Sequence, residues 1–225
     1  YAVLQRAVDR LNAVVQENLT AIRAVKAFVR MVCQNYRLPY FTITPTFSKI
    51  EDTKPSKNGF DDVASSDWFA DAVKYVSDKG LMNGTGSDTF SPNASTTRGM
   101  LMTVLARYAG EDTTGGATWY EKGMEWAKAK GVSDGTNPNA NITREQLATM
   151  LYEYAKYKGY DVTKAADLSG FADQGGISAY AVGPMQWAVA QELIFGVGGN
   201  ALAPKDTATR AQLAAVLHRF CEAFA

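Results

Sequence analysis

Three arginines follow threonine at matching places in the chain, and their setting favours an anion-binding site. They are Arg98, Arg144 and Arg210, each preceded by a threonine. A threonine there fits the N-cap of a helix, so each arginine enters a first turn where free N–H groups and the helix dipole favour negative charge. A guanidinium also binds a carboxylate through two parallel hydrogen bonds. Alternatively the arginines lock neighbouring segments together through carbonyl or acidic groups, and both roles are compatible.

Aromatic residues recur upstream of each Thr-Arg pair. The first set is Trp68, Trp119 and Tyr180, and the second set, seven residues later, is Tyr75, Trp126 and Trp187. A spacing of seven puts both sets on one face of a helix, so we expect core residues rather than platforms for sugar rings. A rim aromatic that stacks on a pyranose face is the other interpretation, and it stays open.

Glycines and aspartates complete the set of candidate binding residues. Gly84, Gly135 and Gly196 stand in loops rich in Asn and Pro, where we expect them to serve loop geometry first. If they also line a groove, their missing side chains let a sugar approach the backbone. Asp62 and Asp173, each two residues after a phenylalanine, are predicted to cap the first helix of their segments or to accept hydrogen bonds from sugar hydroxyls.

These residues fall on three aligned segments, which predict three repeats of helix, Gly-rich loop and helix. The first aromatic and the arginine are 30 residues apart in repeats 1 and 3 (68 to 98, 180 to 210) and 25 apart in repeat 2 (119 to 144). Repeat 2 has therefore lost five residues between its glycine and its Thr-Arg pair. One such unit cannot bury its apolar face alone, so three must share a core. We place the repeats at 59–110, 111–159 and 160–225.

The start of the second helix in each repeat is marked by a capping pattern. Gln146 follows Thr143 by three residues and Gln212 follows Thr209 likewise, which predicts a capping box in repeats 2 and 3. Met100 takes that place after Thr97, so repeat 1 keeps half of the cap.

Residues 1–31 precede the repeats and place apolar side chains at steps of three and four without Gly or Pro, which predicts one long amphipathic helix. Residues 32–58 carry three prolines and a polar tail, and we interpret them as an irregular connector that ends in a linker. The helix is expected to pack on the repeats or to self-associate as a coiled coil.

Composition excludes several classes of function. The chain has 225 residues, 46% of them hydrophobic, with 23 basic and 23 acidic side chains, so no global field attracts nucleic acid or anionic lipid. Cys33 and Cys221 form neither a CxxC metal pair nor a disulfide framework, and we expect free thiols and no metal. No apolar run is long enough for a membrane span. No signal peptide opens the sequence, which begins without Met and is expected to be a piece of a longer secreted protein.

The aligned segments resemble S-layer homology repeats, with Phe-x-Asp openings at 60–62 and 171–173, a tryptophan, a Gly loop and a Thr-Arg helix start. Repeat 2 departs from the pattern because it lacks the opening. The resemblance implies an all-α, pseudo-threefold bundle in which one helix of each repeat packs at the centre. It also implies grooves between repeats that bind secondary cell-wall polysaccharide, often bearing pyruvate ketals, at the surface of a Gram-positive bacterium. The arginines, first-set aromatics, glycines and aspartates above are the corresponding contacts.

Two further resemblances fall before the repeats. Residues 4–30 are similar to a cytoplasmic helix of ABC-exporter membrane domains, and residues 36–48 resemble a stretch near the C-terminus of anaerobic ribonucleotide reductases. Neither segment brings a phosphate loop, a four-cysteine zinc set or a glycyl-radical loop. Since these families belong to different compartments, we expect a chimeric chain whose complete module is the repeat region.

Three functions compete for the repeat region. The first is a wall anchor that binds polysaccharide, with no cofactor and no catalysis. The second is a structural or self-association module whose ligand sites are degenerate, which the deletion in repeat 2 favours. The third is a glycosidase, which needs two carboxylates held a few ångströms apart. The single histidine, His218, has no nucleophile pattern around it, which also argues against an enzyme.

Overall fold

A computed structural model describes residues 59–224, which contain the three repeats. The predicted helix at 1–31 and the connector at 32–58 lie outside the described residues. Within that range the structure has six α-helices and no strand, so the all-α prediction is confirmed. The helices are α1 (Ala70–Asp78), α2 (Arg98–Tyr108), α3 (Glu121–Ala129), α4 (Arg144–Lys158), α5 (Val182–Ala190) and α6 (Arg210–Ala223). Two 3-10 turns, Gln174–Gly176 and Ala179–Ala181, precede α5.

The second helix of every repeat begins at its arginine, because the preceding threonine is the N-cap. Thr143 and Thr209 each form a complete capping box with the glutamine three residues later. Thr97 accepts a hydrogen bond from the Met100 N–H, which is the half cap that the sequence predicts. The predicted helix starts and caps are confirmed.

A closed ring of backbone hydrogen bonds joins the three repeats just before these helices. The Thr96 N–H donates to the Ala208 carbonyl (2.8 Å), Ile142 donates to Thr96 (2.8 Å), and Ala208 donates to Ile142 (3.0 Å). The three residues hold the same place in their repeats, one before each N-cap threonine. A cycle of equivalent bonds requires a rotational relation between the repeats, so the bundle is pseudo-threefold.

The core along this axis comes from one stripe of each second helix. Counted from the N-cap, positions 4, 8 and 11 are apolar or aromatic in all three repeats, a spacing that keeps them on one helix face. Six leucines fill the first two positions, and at the third Tyr108, Tyr154 and Phe220 meet with ring centroids 5.6 to 6.0 Å apart. The leucines are Leu101, Leu105, Leu147, Leu151, Leu213 and Leu217. Burying each of them contributes about 1.5 to 3 kcal/mol.

Each second helix also packs on the first helix of the next repeat. The pairs are α2 with α3, α4 with α5, and α6 with α1, which closes the cycle. Trp126 and Trp187 are buried in these junctions, and Tyr75 is half-buried, so the core prediction is confirmed for the second aromatic set.

The core prediction is wrong for the first aromatic set. Trp68, Trp119 and Tyr180 are 67%, 53% and 56% exposed. They precede the first residues of α1, α3 and α5, so a helical spacing of seven does not govern where their side chains point. Among the residues that the structure describes, no helix has the length and apolar character to cross a membrane. Between 59 and 224 no three potential ligand side chains gather as a metal site.

Candidate functional site

Arg144 and Arg210 hold neighbouring repeats together through backbone carbonyls. Arg144 donates to the Leu202 carbonyl (2.8 Å) and to the Phe195 carbonyl (2.7 Å) of repeat 3. Arg210 donates to the Phe90 and Asn83 carbonyls of repeat 1, both at 2.7 Å, and its guanidinium lies over the Phe90 ring. Both side chains are buried, and burial lowers the pKa of each guanidinium. These contacts join neighbouring repeats, which is the alternative role that the sequence allowed for these arginines.

The backbone N–H groups at the starts of the second helices are also occupied. The N–H of Arg98 donates to the Ala140 carbonyl, and the equivalent N–H groups of Arg144 and Arg210 donate to Asp206 and Ala94. The following residue of each helix donates to a proline carbonyl of the same neighbouring loop. The expectation of free N–H groups is therefore wrong, because the loop of the next repeat occupies the helix start. Any anion bound here depends on side chains.

Arg98 differs from its two counterparts. Its Nε donates to the Thr136 carbonyl (3.0 Å), but its terminal nitrogen pairs with the Asp134 carboxylate (2.6 Å) and lies 3.3 Å from Ser133 Oγ. The Asp134 side chain is 63% exposed. A hydrogen bond from the Thr136 N–H holds the pKa of Asp134 below its usual range, and Arg98 adds to this effect. Arg98 is therefore bound by an ionised, exposed side chain where the other arginines meet a second carbonyl.

The loops of repeats 1 and 3 are clamped by their aspartates, which explains part of this difference. Asp62 accepts hydrogen bonds from the Phe90 and Ser91 N–H groups (2.8 and 2.7 Å). Asp173 accepts the equivalent pair from Leu202 and Ala203 (2.8 and 2.7 Å). Repeat 2 lacks both the aspartate and the five loop residues. The prediction that these aspartates cap the first helices is wrong, because α1 and α5 have no side-chain cap.

The three glycines meet different structural needs. A Cβ on Gly84 would lie 2.6 Å from the Phe60 ring, and one on Gly196 would lie 3.0 Å from the Phe171 ring. Gly135 instead has a φ of +72°, which residues other than glycine rarely adopt. Each glycine therefore serves its loop, as expected first, and their role as polysaccharide contacts stays a prediction.

A groove of about 410 Å³ lies between repeats 1 and 2, and we call it the Arg98 groove. It is lined by Arg98 of repeat 1, by the short loop and α4 of repeat 2, and by Tyr180 of repeat 3. The lining residues are Arg98, Gly131, Val132, Ser133, Asp134, Gln146, Thr149, Met150, Glu153 and Tyr180. This set mixes hydrogen-bonding side chains with one exposed aromatic ring, as sites for sugars require.

Glu153 marks a second difference at this groove. It stands ten residues after the N-cap threonine, where repeats 1 and 3 have Arg107 and Arg219. Those arginines donate to the Leu81 carbonyl (3.3 Å) and the Leu193 carbonyl (2.8 Å), which ties each helix to its loop. Glu153 pairs with Lys156 on its own helix instead (2.8 Å). The groove thus lies where repeat 2 has a shorter loop and has Glu153 in place of the arginine that binds a loop carbonyl in repeats 1 and 3.

Asp134, Glu145 and Glu153 are not among the residues predicted from the sequence. Each departs from the residue at the matching place of the other repeats, so a three-way alignment read for differences rather than for agreement would have found them. Glu145 is 3% exposed and accepts hydrogen bonds from Ser178 and Lys205. Its burial raises the pKa of the carboxyl, but the hydrogen bonds from Lys205 and Ser178 outweigh this effect and lower it.

Comparisons with known proteins agree with the repeat pattern. The sequence model of a family described as S-layer homology domain matches residues 59–99, 111–148 and 170–214. The exact repeat boundaries stay a prediction. An amylopullulanase of Thermoanaerobacterium thermosulfurigenes is 29% identical over 177 residues, which is 72% of this chain. The chain spans only 9% of the length of that relative.

Proposed function

The chain belongs to the S-layer homology domain family, whose domains anchor proteins at the cell wall, and we propose that it binds a secondary cell-wall polysaccharide in the Arg98 groove. The recognised unit is an amino sugar that bears a pyruvate ketal. The observation that carries the proposal is that Arg98 lines a groove and is paired with an exposed carboxylate, where Arg144 and Arg210 each meet a second backbone carbonyl. The proposal assigns the chain no catalytic step and no cofactor.

Arg98 is the arginine whose partner a ligand can replace. The Arg98 side chain is 12% exposed and that of Asp134 is 63% exposed, so solvent reaches this ion pair on the carboxylate side and the pair contributes only about 1 kcal/mol. Exchanging Asp134 for a ketal carboxylate therefore costs little binding free energy. The ketal carboxylate gains a charge-assisted hydrogen bond from Arg98 inside the groove. Replacing a backbone carbonyl at Arg144 or Arg210 would leave that carbonyl without its partner, at a cost of about 1 to 3 kcal/mol.

The remaining lining fits the rest of a sugar unit. Gln146, Thr149 and Ser133 offer donors and acceptors for hydroxyl and acetamido groups, and the Tyr180 ring is 56% exposed beside them. An exposed aromatic face suits the apolar face of a pyranose. Trp68 and Trp119 hold the place of Tyr180 in the other repeats, and they stay predicted sugar contacts there.

A pulldown on isolated Gram-positive cell walls tests this function. The purified chain is mixed with intact walls and with walls stripped of secondary polysaccharide by mild acid. Arg98→Ala is compared with Lys74→Ala, which removes the same charge from an exposed ion pair on α1. We expect wild type and Lys74→Ala to bind intact walls only, and Arg98→Ala to lose at least tenfold in affinity. Equal binding by Arg98→Ala and wild type would refute the Arg98 groove as the site.

A further inference from the structure

Glu145 is a buried carboxylate that only repeat 2 has at this place of its second helix. The matching residues are Gly99 and Ala211. All three residues donate their backbone N–H to a proline carbonyl of the next repeat, at 2.8 to 3.1 Å, so the backbone is the same in each. The carboxylate is therefore an addition to a shared framework, and the framework itself does not require it.

Four donors of repeat 3 surround this carboxylate. The Ser178 N–H and the Ser178 hydroxyl lie at 2.9 Å, and the Lys205 ammonium lies at 2.6 Å. The fourth is the Tyr180 hydroxyl, 3.2 Å from the same oxygen that Lys205 contacts. Since Glu145 stands in the first turn of α4, the helix dipole also favours its charge. Ser178 and Lys205 therefore hold the carboxylate in the position from which it accepts the Tyr180 hydrogen bond.

Tyr180 is the point at which this cluster reaches the Arg98 groove. Its ring lines the groove while its hydroxyl is bound to Glu145. A phenol is a hydrogen-bond donor at neutral pH, and burial and then the Glu145 charge raise the pKa of Tyr180 further above its usual value. The counterparts Trp68 and Trp119 instead lie edge-on against Phe69 and Tyr120, the residues next to them in the chain.

We propose that Glu145 is a positioning residue for the Arg98 groove, which holds the Tyr180 ring in place through the phenol and so links the junction of repeats 2 and 3 to polysaccharide affinity. The proposal rests on the function proposed above. A ring that is already fixed loses less conformational freedom when a sugar stacks on it, and such preorganisation strengthens binding. Removing the hydrogen bond should weaken polysaccharide binding three- to tenfold even though neither of its two atoms contacts the sugar.

The test is a double-mutant cycle with Glu145→Ala, Tyr180→Phe and the pair together, in the full chain; alanine is used because glutamine would keep an oxygen that accepts the Tyr180 hydroxyl. Affinity for purified wall polysaccharide is measured by calorimetry well below the melting temperature, and the melting temperature is measured separately. Tyr180→Phe keeps the ring and leaves Glu145 with Ser178 and Lys205, so it stays informative if Glu145→Ala folds poorly. Tyr157→Phe, at an exposed tyrosine of α4 outside the groove lining, is the matched control.

We expect each single variant to lose three- to tenfold in affinity, the pair to lose no more than either one, and the control to bind as wild type does. If Tyr180→Phe keeps full affinity, the positioning role is overturned and Glu145 only stabilises the fold. This failure differs from failure of the proposed function, in which wild type does not bind or Arg98→Ala binds equally well. If the proposed function fails in this way, the positioning role of Glu145 is overturned as well.

Discussion

The short loop of repeat 2 and the long loops of repeats 1 and 3 offer different partners to the equivalent arginines of the three repeats. In the long loops, an aspartate clamp presents two backbone carbonyls to Arg210 or Arg144, and the guanidinium is buried. In the short loop one carbonyl remains, and the exposed Asp134 replaces the other. A motif that repeats in sequence therefore need not repeat in function, because the partner that the loop supplies decides what each arginine can bind.

The largest effect that this comparison predicts is on stability. Arg210→Ala leaves two carbonyls without a donor and removes a buried side chain, so it should lower the free energy of unfolding by about 2 to 4 kcal/mol. Arg98→Ala should cost less, about 1 to 2 kcal/mol, since it leaves one carbonyl, that of Thr136, without its donor and breaks an ion pair whose carboxylate is exposed. Urea unfolding of both variants measures the difference. An equal loss of unfolding free energy in both variants would mean that the two arginines stabilise the fold to the same extent, which contradicts the comparison.

The aspartate clamp should give the next largest effect. Asp173→Asn replaces one of two carboxylate oxygens that accept backbone hydrogen bonds with a donor, and should cost about 1 kcal/mol at pH 7. Burial raises the pKa of Asp173, but the two backbone hydrogen bonds outweigh it and lower the pKa. Its stabilisation is therefore complete above the unfolded-state value, about 3.9, and is lost as the pH falls through the lower folded value.

Thermal melts of Asp173→Asn and wild type between pH 7 and pH 2.5 check this behaviour. The gap in melting temperature should stay constant down to about pH 4 and narrow below it. Asp78→Asn, at an exposed residue of α1, is the control and should melt as wild type does. A gap that widens in acid would contradict the clamp.

Thr96 sharpens the comparison of the repeats at the hydrogen-bonded ring. Its hydroxyl is buried and has no hydrogen-bond partner among residues 59–224, while the matching residues are Ile142 and Ala208. Thr96→Val keeps the shape and the backbone bonds, so it should raise the free energy of unfolding by about 1 kcal/mol. Thr97→Val next to it removes the N-cap and should lower it by about 1 kcal/mol. Urea unfolding that gave both variants the same sign would contradict this account.

The smallest expected effect is on affinity. Asp134→Asn keeps an acceptor for the Thr136 N–H but removes the charge that competes for Arg98. An anionic polysaccharide should then bind about two- to fivefold more tightly, which corresponds to the contribution of about 0.4 to 1 kcal/mol expected of one exposed ion pair. Calorimetry measures the change. Weaker binding by Asp134→Asn would mean that the carboxylate itself contacts the sugar.

Local patterns determine the fold, and for that reason the sequence predicted much of it. Thr143 with Gln146 and Thr209 with Gln212 define helix starts by their own hydrogen bonds, which need no knowledge of the neighbours. Three copies of one pattern then predicted a shared core. The backbone ring through Thr96, Ile142 and Ala208 was not predictable, because its bonds join residues about 46 to 112 positions apart.

The candidate site was less predictable than the fold. Arg98, Arg144 and Arg210 each follow a threonine at the same place of their repeats, and the partners that separate them, Asp134 or a carbonyl, come from a neighbouring loop. Trp68 and Trp119 were expected in the core because seven residues is a helical spacing, but α1 and α3 start after them. Glu145 acts on Tyr180, 35 residues away, and periodicity carries no signal for such a contact.

Calorimetric titration with intact and ketal-free polysaccharide tests the central claim most directly. The ketal is removed with mild acid, and wild type and Arg98→Ala are each titrated with both polymers. If Arg98 binds the ketal carboxylate, wild type prefers the intact polymer by at least tenfold, and Arg98→Ala binds both polymers equally weakly. An Arg98→Ala variant that still prefers the intact polymer tenfold would contradict the claim, since another residue would then recognise the ketal.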